Sequence, residues 1–373
     1  MVETTPKLRI VHALLETAHG PLGYSDLTAG GRGVTGSEQT MLYLARAQAQ
    51  RGHSVVMYLP TDKPGYEHGV EILDVRASWP RLRRIDGADV VISWLSADPL
   101  RFAGPKALKI HSLQINDWML CGADYHKHVD VFVACSQAHK EHLLREGGHP
   151  PLDYPFEVIP NGTDIARFST SLQRKPRRCV YLSSPDRGLH WLIAMWPEIR
   201  FAYPDAELHI YYEVQKWLDG AILLTSEIGN RARYVINHIQ GIAKHAGVMH
   251  GAVPPENLAH GLASCDVMLY PADTIRFTEG FGVAVLEACA AGVVPIITDA
   301  DALGEVYQKS GAIIIPRGPD RRWTDRFLDT VLTVFKDRDA LEALRPFVRN
   351  FAAQYDWSHV ADLWDAMFMK YRR

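Results

Sequence analysis

Short, almost wholly apolar runs alternate with helix-patterned stretches along the chain, and this alternation limits the fold more than any other feature. Leu8–Leu15 is the first such run. Ser54–Leu59, Val70–Leu73, Val90–Trp94, Lys109–Ser112, Val131–Cys135 and Glu157–Pro160 follow it. Strands without a polar face must be covered on both sides, which points to parallel sheets between layers of helices. Between the first two strands, Ser37–Arg51 has helical spacing with Met41, Leu42, Leu44 and Ala45 on one side, and Gly52 ends it. A second alternating set begins after the polar, basic stretch Ser169–Arg178. Its strands are predicted at Cys179–Ser183, Glu207–Tyr212, Val248–Gly251, Val267–Tyr270, Val294–Thr298 and Ala312–Ile315. Helices are predicted at Gly188–Tyr203, Arg231–Ala246, Glu256–Ser264 and Val283–Ala291, and the tail Asp320–Arg373 reads as wholly helical. A domain of about 150 residues is usual, so 373 residues fit two units. The expectation is an α/β protein of two doubly wound halves joined near residues 161–177. Ligands of open α/β sheets sit beyond the carboxyl ends of the strands, so the loops there are where chemistry is to be sought.

Charge and cysteine usage exclude several classes. Forty Lys and Arg against 43 Asp and Glu leave a formal charge of −3. Such a chain has no global field to hold a nucleic acid, and no nucleic-acid partner is expected. The five cysteines, Cys121, Cys135, Cys179, Cys265 and Cys289, are scattered, with no C-x-x-C pair. That argues against a disulfide framework or a cysteine zinc site and fits a reducing compartment. The start, MVETTPKLRIVHALLE, lacks the basic region, long apolar middle and small-residue cleavage site of a secretory leader. No stretch approaches the roughly 18 apolar residues of a membrane span. A cytoplasmic protein is expected, with peripheral contact to a membrane left open.

Three loops carry candidate chemistry. Gly30-Gly31-Arg32-Gly33-Val34-Thr35-Gly36-Ser37-Glu38 would bring backbone N–H groups close to an anion, next to a helix that starts near Ser37. Gly31-x-Gly33-x-x-Gly36 formally matches a dinucleotide fingerprint, but more than a dozen residues separate it from the preceding strand. Next, Glu279-Gly280-Phe281-Gly282-Val283-Ala284-Val285-Leu286-Glu287 brackets a glycine turn and a helix start with two carboxylates. Glu287, about two helical turns inside an apolar helix, needs a donor. Ribose hydroxyls would serve, and so would a basic side chain. Third, Ser183-Ser184-Pro185-Asp186-Arg187-Gly188 sets a cation at a helix N-terminus, suited to a diphosphate, or to a plain pair with Asp186. Weaker signals are His111 at a strand end and the carboxylates Asp299 and Asp301, which could hold a divalent cation. The pairs His126/His128 and His139/His142 read as surface groups. In the C-terminal helix Ser358–Tyr371, core packing accounts for the apolar stripe Val360, Leu363, Trp364, Met367 and Phe368.

Together these residues resemble the retaining, nucleotide-sugar-dependent glycosyltransferases of the GT-B fold, in particular glycosyltransferase family 4. The resemblance covers nearly the whole chain. Its most specific part is Glu279-Gly-Phe-Gly-x4-Glu287-Ala288-x-Ala290-Ala291-Gly292-x-x-Pro295, similar to the family's E-x7-E segment. Val158-Ile-Pro160-Asn161-Gly162-Thr163-Asp164…Phe168 resembles its interdomain crossover. Gly36-Ser37-Glu38…Arg51-Gly52-His53-Ser54-Val55 resembles its first helix and second strand. The resemblance implies a Rossmann-like N-terminal domain over residues 1–162, completed by a returning C-terminal helix at 355–373. It implies a Rossmann-like, donor-binding domain over 163–354, with a cleft between the two.

The resemblance also implies roles. Glu279 faces the donor sugar and the reacting centre, and His111 lies beside the transferring sugar. Glu287 holds the ribose, and Arg187 neutralises the diphosphate. Gly36 approaches the donor from the other domain. Phe281, Gly282 and Val283 lie against the donor, with Phe281 and Gly282 offering backbone N–H groups. The chain departs from the family at Tyr181, where a second basic residue is usual, which leaves the diphosphate to one side chain or to Arg178 from elsewhere. It departs again at Ala302-Leu303 before Glu305, and at Tyr212-Glu213 in place of a glycine-rich turn. Acceptor contacts are expected in Thr17–Gly33 and Asn116–Tyr125, where Tyr24, Trp118 and Tyr125 could stack on a sugar.

The expected activity is that of a hexosyltransferase-type enzyme. A glycosyl–phosphate bond breaks through an oxocarbenium-like state, and Arg187, helix N-termini and loop amides stabilise the departing diphosphate. No cofactor and no metal is expected. The partners are a nucleotide-sugar donor and a carbohydrate or lipid-linked acceptor, and closure of the domains would exclude water. Rival readings are a sugar-nucleotide epimerase of the same shape, a non-catalytic nucleotide-sugar or glycan-binding protein, and an NAD-dependent oxidoreductase with Asp62 as its ribose ligand.

Overall fold

A computed structural model of the chain describes residues 7–17, 20–83, 85–114, 118, 124–170, 172–318, 320 and 322–372. Cys121 and most of the expected acceptor loop, Asn116 included, lie outside the described residues. Two units are present: Met1–Leu27, Val34–Asp164 and Tyr355–Arg373 form one, and Thr28–Gly33 with Ile165–Gln354 form the other.

In chain order the first unit contains β1 (Arg9–Leu14), α1 (Gly36–Gln50), β2 (Ser54–Leu59), β3 (Gly65–Glu67), β4 (Val70–Asp74), α2 (Trp79–Leu82), β5 (Val90–Trp94), β6 (Leu108–Ser112), β7 (Val131–Ala134), α3 (Gln137–Leu143) and β8 (Phe156–Val158). Its sheet runs β3-β4-β2-β1-β5-β6-β7-β8, parallel throughout except for β3. That antiparallel edge was not expected. All three of its residues are exposed, so no apolar pattern marks it. The turn that creates it does leave a trace, because His68 (φ 51°) and Gly69 (φ 83°) take the left-handed backbone of a tight hairpin.

The second unit contains β9 (Arg178–Tyr181), α4 (Leu189–Ala202), β10 (Glu207–Ile210), α5 (Val214–Ala221), α6 (Glu227–Lys244), β11 (Gly247–Met249), α7 (Pro255–Ala263), β12 (Val267–Tyr270), α8 (Val283–Ala290), β13 (Val294–Thr298), α9 (Leu303–Tyr307), β14 (Ile313–Ile315), α10 (Trp323–Lys336) and α11 (Arg338–Ala353). Its sheet is parallel, in the order β11-β10-β9-β12-β13-β14. The neighbours of β9 are therefore β10 on one side and β12 on the other. Chain direction across the sheet reverses between β9 and β12, and a crevice opens beyond the carboxyl ends of strands at such a point.

The last helix, α12 (Trp357–Tyr371), completes the first unit. Trp357, Val360, Ala361, Trp364, Met367 and Phe368 enter one apolar core with Ile10, Leu42, Leu44 and Val55. Four further contacts anchor this helix and its approach. Asp365 accepts from Arg51 Nε at 2.6 Å and from His53 Nε2 at 3.2 Å. Thr163 N–H donates to Tyr355 O at 2.9 Å. Gly162 lies flat on the Trp357 ring, where a Cβ would come within 2.7 Å of it.

Candidate functional site

Both loops at the reversal point carry the residues that the sequence singles out. After β9 the chain makes one turn of 3-10 helix, Pro185–Arg187, and enters α4 through Gly188. Gly188 has φ 127°, and a Cβ there would stand 2.1 Å from Pro271 O. Only glycine lets this loop approach the end of β12 so closely. After β12 the chain runs through residues 271–282 and enters α8 at Gly282, φ 83°. A Cβ on Gly282 would fall 2.6 Å from Leu303 Cδ2, and the Gly282 carbonyl accepts from Tyr307 Oη at 2.7 Å. Val285 and Leu286 N–H donate to the Gly282 carbonyl at 2.9 and 3.2 Å, and the positive end of α8 lies at this turn.

Arg187 and Glu279 meet here. Arg187 Nη1 donates to Glu279 Oε1 at 2.5 Å. Glu279 is buried, whereas the Arg187 side chain keeps 31% of its surface. Burial works against the arginine charge, but Glu279, Tyr270 and Asp186 together outweigh it and hold the guanidinium pKa above its ordinary value. Arg187 Nε is buried with no hydrogen-bond partner among the described residues. Oε1 of Glu279 also accepts from Tyr270 Oη at 2.7 Å, and Ser183 Oγ lies 2.8 Å from Tyr270 Oη.

A second set of contacts braces the loop. Asp301, itself left-handed at φ 52°, accepts from the N–H groups of Thr278 (2.8 Å) and Glu279 (3.0 Å) and from Thr274 Oγ1 (2.9 Å). Asp299 accepts from Arg317 N–H at 2.8 Å. The two carboxylates weighed as cation ligands thus hold backbone. Asp273 takes Arg231 Nη2, Arg317 Nη1 and Trp191 Nε1 at 3.1, 2.7 and 2.9 Å. Arg231 also donates to the carbonyls of Asp186 and Asp273, which ties α6 to both loops. Arg231, Asp273 and Tyr270 were missed in the sequence, and Ser183 was noted only as the first residue of the Arg187 loop. Tyr270 left a signal there, as a hydroxyl closing an aliphatic strand.

Glu287 lies in α8 as expected, with Oε1 2.6 Å from Arg167 Nη2 and both side chains buried. Of the two donors weighed for it, the basic side chain is the one seen. Gly36 is the first residue of α1, but the N-cap is Thr35 rather than Ser37. Thr35 Oγ1 accepts from Glu38 N, and Glu38 Oε2 accepts from Thr35 N, a capping box that fixes the entry one residue ahead of Gly36. His111 lies in β6 with no exposed surface, its Nδ1 2.9 Å from Ser93 Oγ and its ring edge-on to Phe132. Burial lowers its pKa to about 4 and keeps it neutral. Phe281 is buried and packs near Tyr307, at 6.4 Å between ring centroids.

Other expectations need correction. Arg178 opens β9, at the opposite end of that strand from Arg187, and pairs with Glu207 at 2.9 Å, so it cannot share a diphosphate with Arg187. Tyr24, Trp118 and Tyr125 are buried, and their polar atoms donate to the carbonyls of Leu42, Leu143 and Gly148, so none of them offers a face for a sugar. His139 is fully buried with Nδ1 3.0 Å from Cys135 Sγ, rather than on the surface. Asp62 pairs with Arg76 at 2.9 Å.

Comparison with known proteins gives a consistent picture. Residues 177–337 match the family described as Glycosyl transferases group 1, and residues 34–167 match Glycosyltransferase Family 4. A GDP-mannose-dependent alpha-(1-6)-phosphatidylinositol monomannoside mannosyltransferase of Mycobacterium tuberculosis is 28% identical over 227 residues, 55% of this chain and 54% of that protein. A GDP-mannose:cellobiosyl-diphosphopolyprenol alpha-mannosyltransferase of Xanthomonas campestris is 34% identical over 83 residues, 22% of this chain and 21% of that one. The chain thus spans about half the length of the mycobacterial relatives it matches. Sucrose-phosphate synthase of Thermosynechococcus elongatus superposes with TM-score 0.67 at 13% identity, covering 98% of this chain and 99% of that one. A glycosyltransferase of avilamycin A biosynthesis does so with TM-score 0.64 at 18% identity, covering 98% of each. These two likenesses show a shared fold.

Proposed function

The chain belongs to the glycosyl transferases of group 1 and family 4, with the GT-B fold, and on that footing we propose that it moves a sugar from a nucleoside-diphosphate sugar to a hydroxyl acceptor with retention of anomeric configuration. The observation that carries the reading is the Arg187–Glu279 pair at the carboxyl ends of β9 and β12, between the entries to α4 and α8. A cation with an unused buried donor, two glycine-opened helix starts and a carboxylate are what a diphosphate joined to a sugar requires.

In the proposed reaction the bond from the anomeric carbon to the diphosphate oxygen breaks first, and negative charge collects on the leaving group. Arg187 and the N–H groups at Phe281, Gly282 and Val283 face that charge in place of water. The acceptor hydroxyl then bonds to the anomeric carbon from the same side, and its proton passes to a diphosphate oxygen. Glu279 binds the sugar ring near the reacting carbon. Glu287 holds the ribose, with Arg167 pairing its buried carboxylate. The diphosphate charge is neutralised by protein groups rather than by a cation, a reading supported by the loop contacts that occupy Asp299 and Asp301. The acceptor is a carbohydrate or a lipid-linked hydroxyl, reached with the protein at a membrane surface. No described helix is long and apolar enough to cross one.

Because the named relatives use GDP-mannose, that donor leads the test, followed by UDP-, ADP- and dTDP-sugars with lipid and glycan acceptors. Release of nucleoside diphosphate with a product of unchanged anomeric configuration by NMR is expected. Interconversion of the sugar without released diphosphate would establish an epimerase instead, and an inverted product would overturn retention.

A further inference from the structure

Two donors meet on one oxygen of Glu279, and a further hydroxyl stands behind them. Arg187 Nη1, Tyr270 Oη and Ser183 Oγ lie 2.5, 2.7 and 3.5 Å from Oε1. Oε2 points elsewhere, 3.7 Å from where a Cβ on Gly282 would sit, beside the start of α8. The hydroxyl protons can be accounted for. A carboxylate has none to give, so Tyr270 donates to Oε1, and the Ser183 proton goes to Tyr270 Oη at 2.8 Å, the nearer of its two acceptors. A chain of this kind polarises along its length and strengthens the final bond to the charged oxygen. Tyr270, Ser183 and Glu279 are all buried, so the chain is shielded from water.

We infer that Tyr270 and Ser183 are positioning residues that hold Glu279 by Oε1 and present Oε2 to the sugar. The inference rests on the reading of Glu279 as the carboxylate that meets the donor sugar. Its physical need arises from Arg187. A diphosphate carries more charge than one carboxylate and draws the guanidinium to itself. Glu279 then loses its ion pair at the moment its geometry matters, and the Tyr270 hydroxyl remains to fix it. No lysine or arginine occupies the end of β9, where Tyr181 stands, so no second cation there can take over.

The test uses the full chain and the sugar nucleotide that it turns over. Tyr270→Phe keeps the ring and removes only the hydroxyl. A hydrogen bond to a charged group supports an expected loss of about 10-fold or more in kcat, with the donor KM and the affinity for the free nucleoside diphosphate each within about twofold of the parent. Ser183→Ala is expected to lose about two- to threefold. Placed in a Glu279→Ala background, Tyr270→Phe should cost no more than about twofold further, since there is no carboxylate left to hold. If Glu279→Ala lowers turnover but Tyr270→Phe does not, the positioning role is overturned while the site stands. The role is also overturned if Tyr270→Phe costs the same in both backgrounds or acts on KM alone. If Glu279→Ala leaves turnover intact, or no sugar nucleotide is consumed, the proposed function falls and takes the inference with it.

Discussion

Arg187, Glu279 and Glu287 have different surroundings, and their replacements should therefore fail differently. Removing Arg187 takes away the cation meant for the diphosphate but leaves the base and ribose contacts. Arg187→Ala is thus expected to weaken nucleoside diphosphate binding by about 10-fold or more while leaving the free nucleoside unaffected, as calorimetric titration of both ligands would measure. Glu287→Ala should instead weaken both ligands, because the ribose is common to them, and it also strands the buried Arg167. Glu279→Ala should act on turnover. Gly188 makes a different demand, one of space. Its φ of 127° and the 2.1 Å approach of Pro271 O leave no room for a methyl group. Gly188→Ala should cost about 2 kcal/mol or more in denaturant unfolding and should impair donor binding, because the loop carrying Arg187 has to move.

Among elements, α12 and α11 are held by different mixtures of apolar burial and charge. The last helix is held mainly by apolar burial, and Trp364 is 3% exposed in a core shared with β1, β2 and α1. Trp364→Ala should cost roughly 3–5 kcal/mol, read as lost hydrogen-exchange protection in β1 and α1 while β9 and β12 keep theirs. By contrast α11 adds a charge network to its buried Leu341, Val348, Phe351 and Ala352. Asp266, fully buried ahead of β12, takes Arg345 Nη2 at 2.5 Å and both Nη atoms of Arg338. Arg345 adds bonds to the carbonyls of Asp266 and Gly292, both at 2.9 Å. The stripe of α12 was legible, apart from Leu363, which is exposed, because 3.6-residue periodicity is written in the order of side chains. The Asp266 network was not, since nothing local marks which arginine of a helix reaches an acid some 80 positions earlier. The helix α5 was missed for a related reason. It buries only Val214, Leu218 and Ala221, a pattern too sparse to stand out. In the capping box, Thr35 and Glu38 have the right spacing, but Ser37 lies only two positions on, and the backbone settles which hydroxyl bonds.

For the whole molecule, acid is the informative stress. Burial lowers the pKa values of His12 and His111 to about 4 from an ordinary 6.5. Both rings are neutral in the folded chain, whereas the unfolded chain binds their protons below pH 6.5. Their contribution to stability is therefore complete above pH 6.5 and is lost as the pH falls towards 4, by up to about 3 kcal/mol for each ring. Urea midpoints should drop steadily over that range, and His111→Gln should flatten the decline. A midpoint independent of pH between 6.5 and 4 would contradict the burial of both rings. Alternating apolar strands and helices, and two acids eight positions apart across a glycine turn, reveal the α/β class, the two halves and the loops of interest, because periodicity and turn chemistry are local properties of the chain. Which group each charge meets is a different kind of fact. Arg187 chose Glu279 over Asp186, Glu287 met Arg167, and Asp301 took the N–H groups of Thr278 and Glu279. Those choices follow from separations of 22 to 120 positions closed by sheet order and helix packing, and only the folded chain contains them.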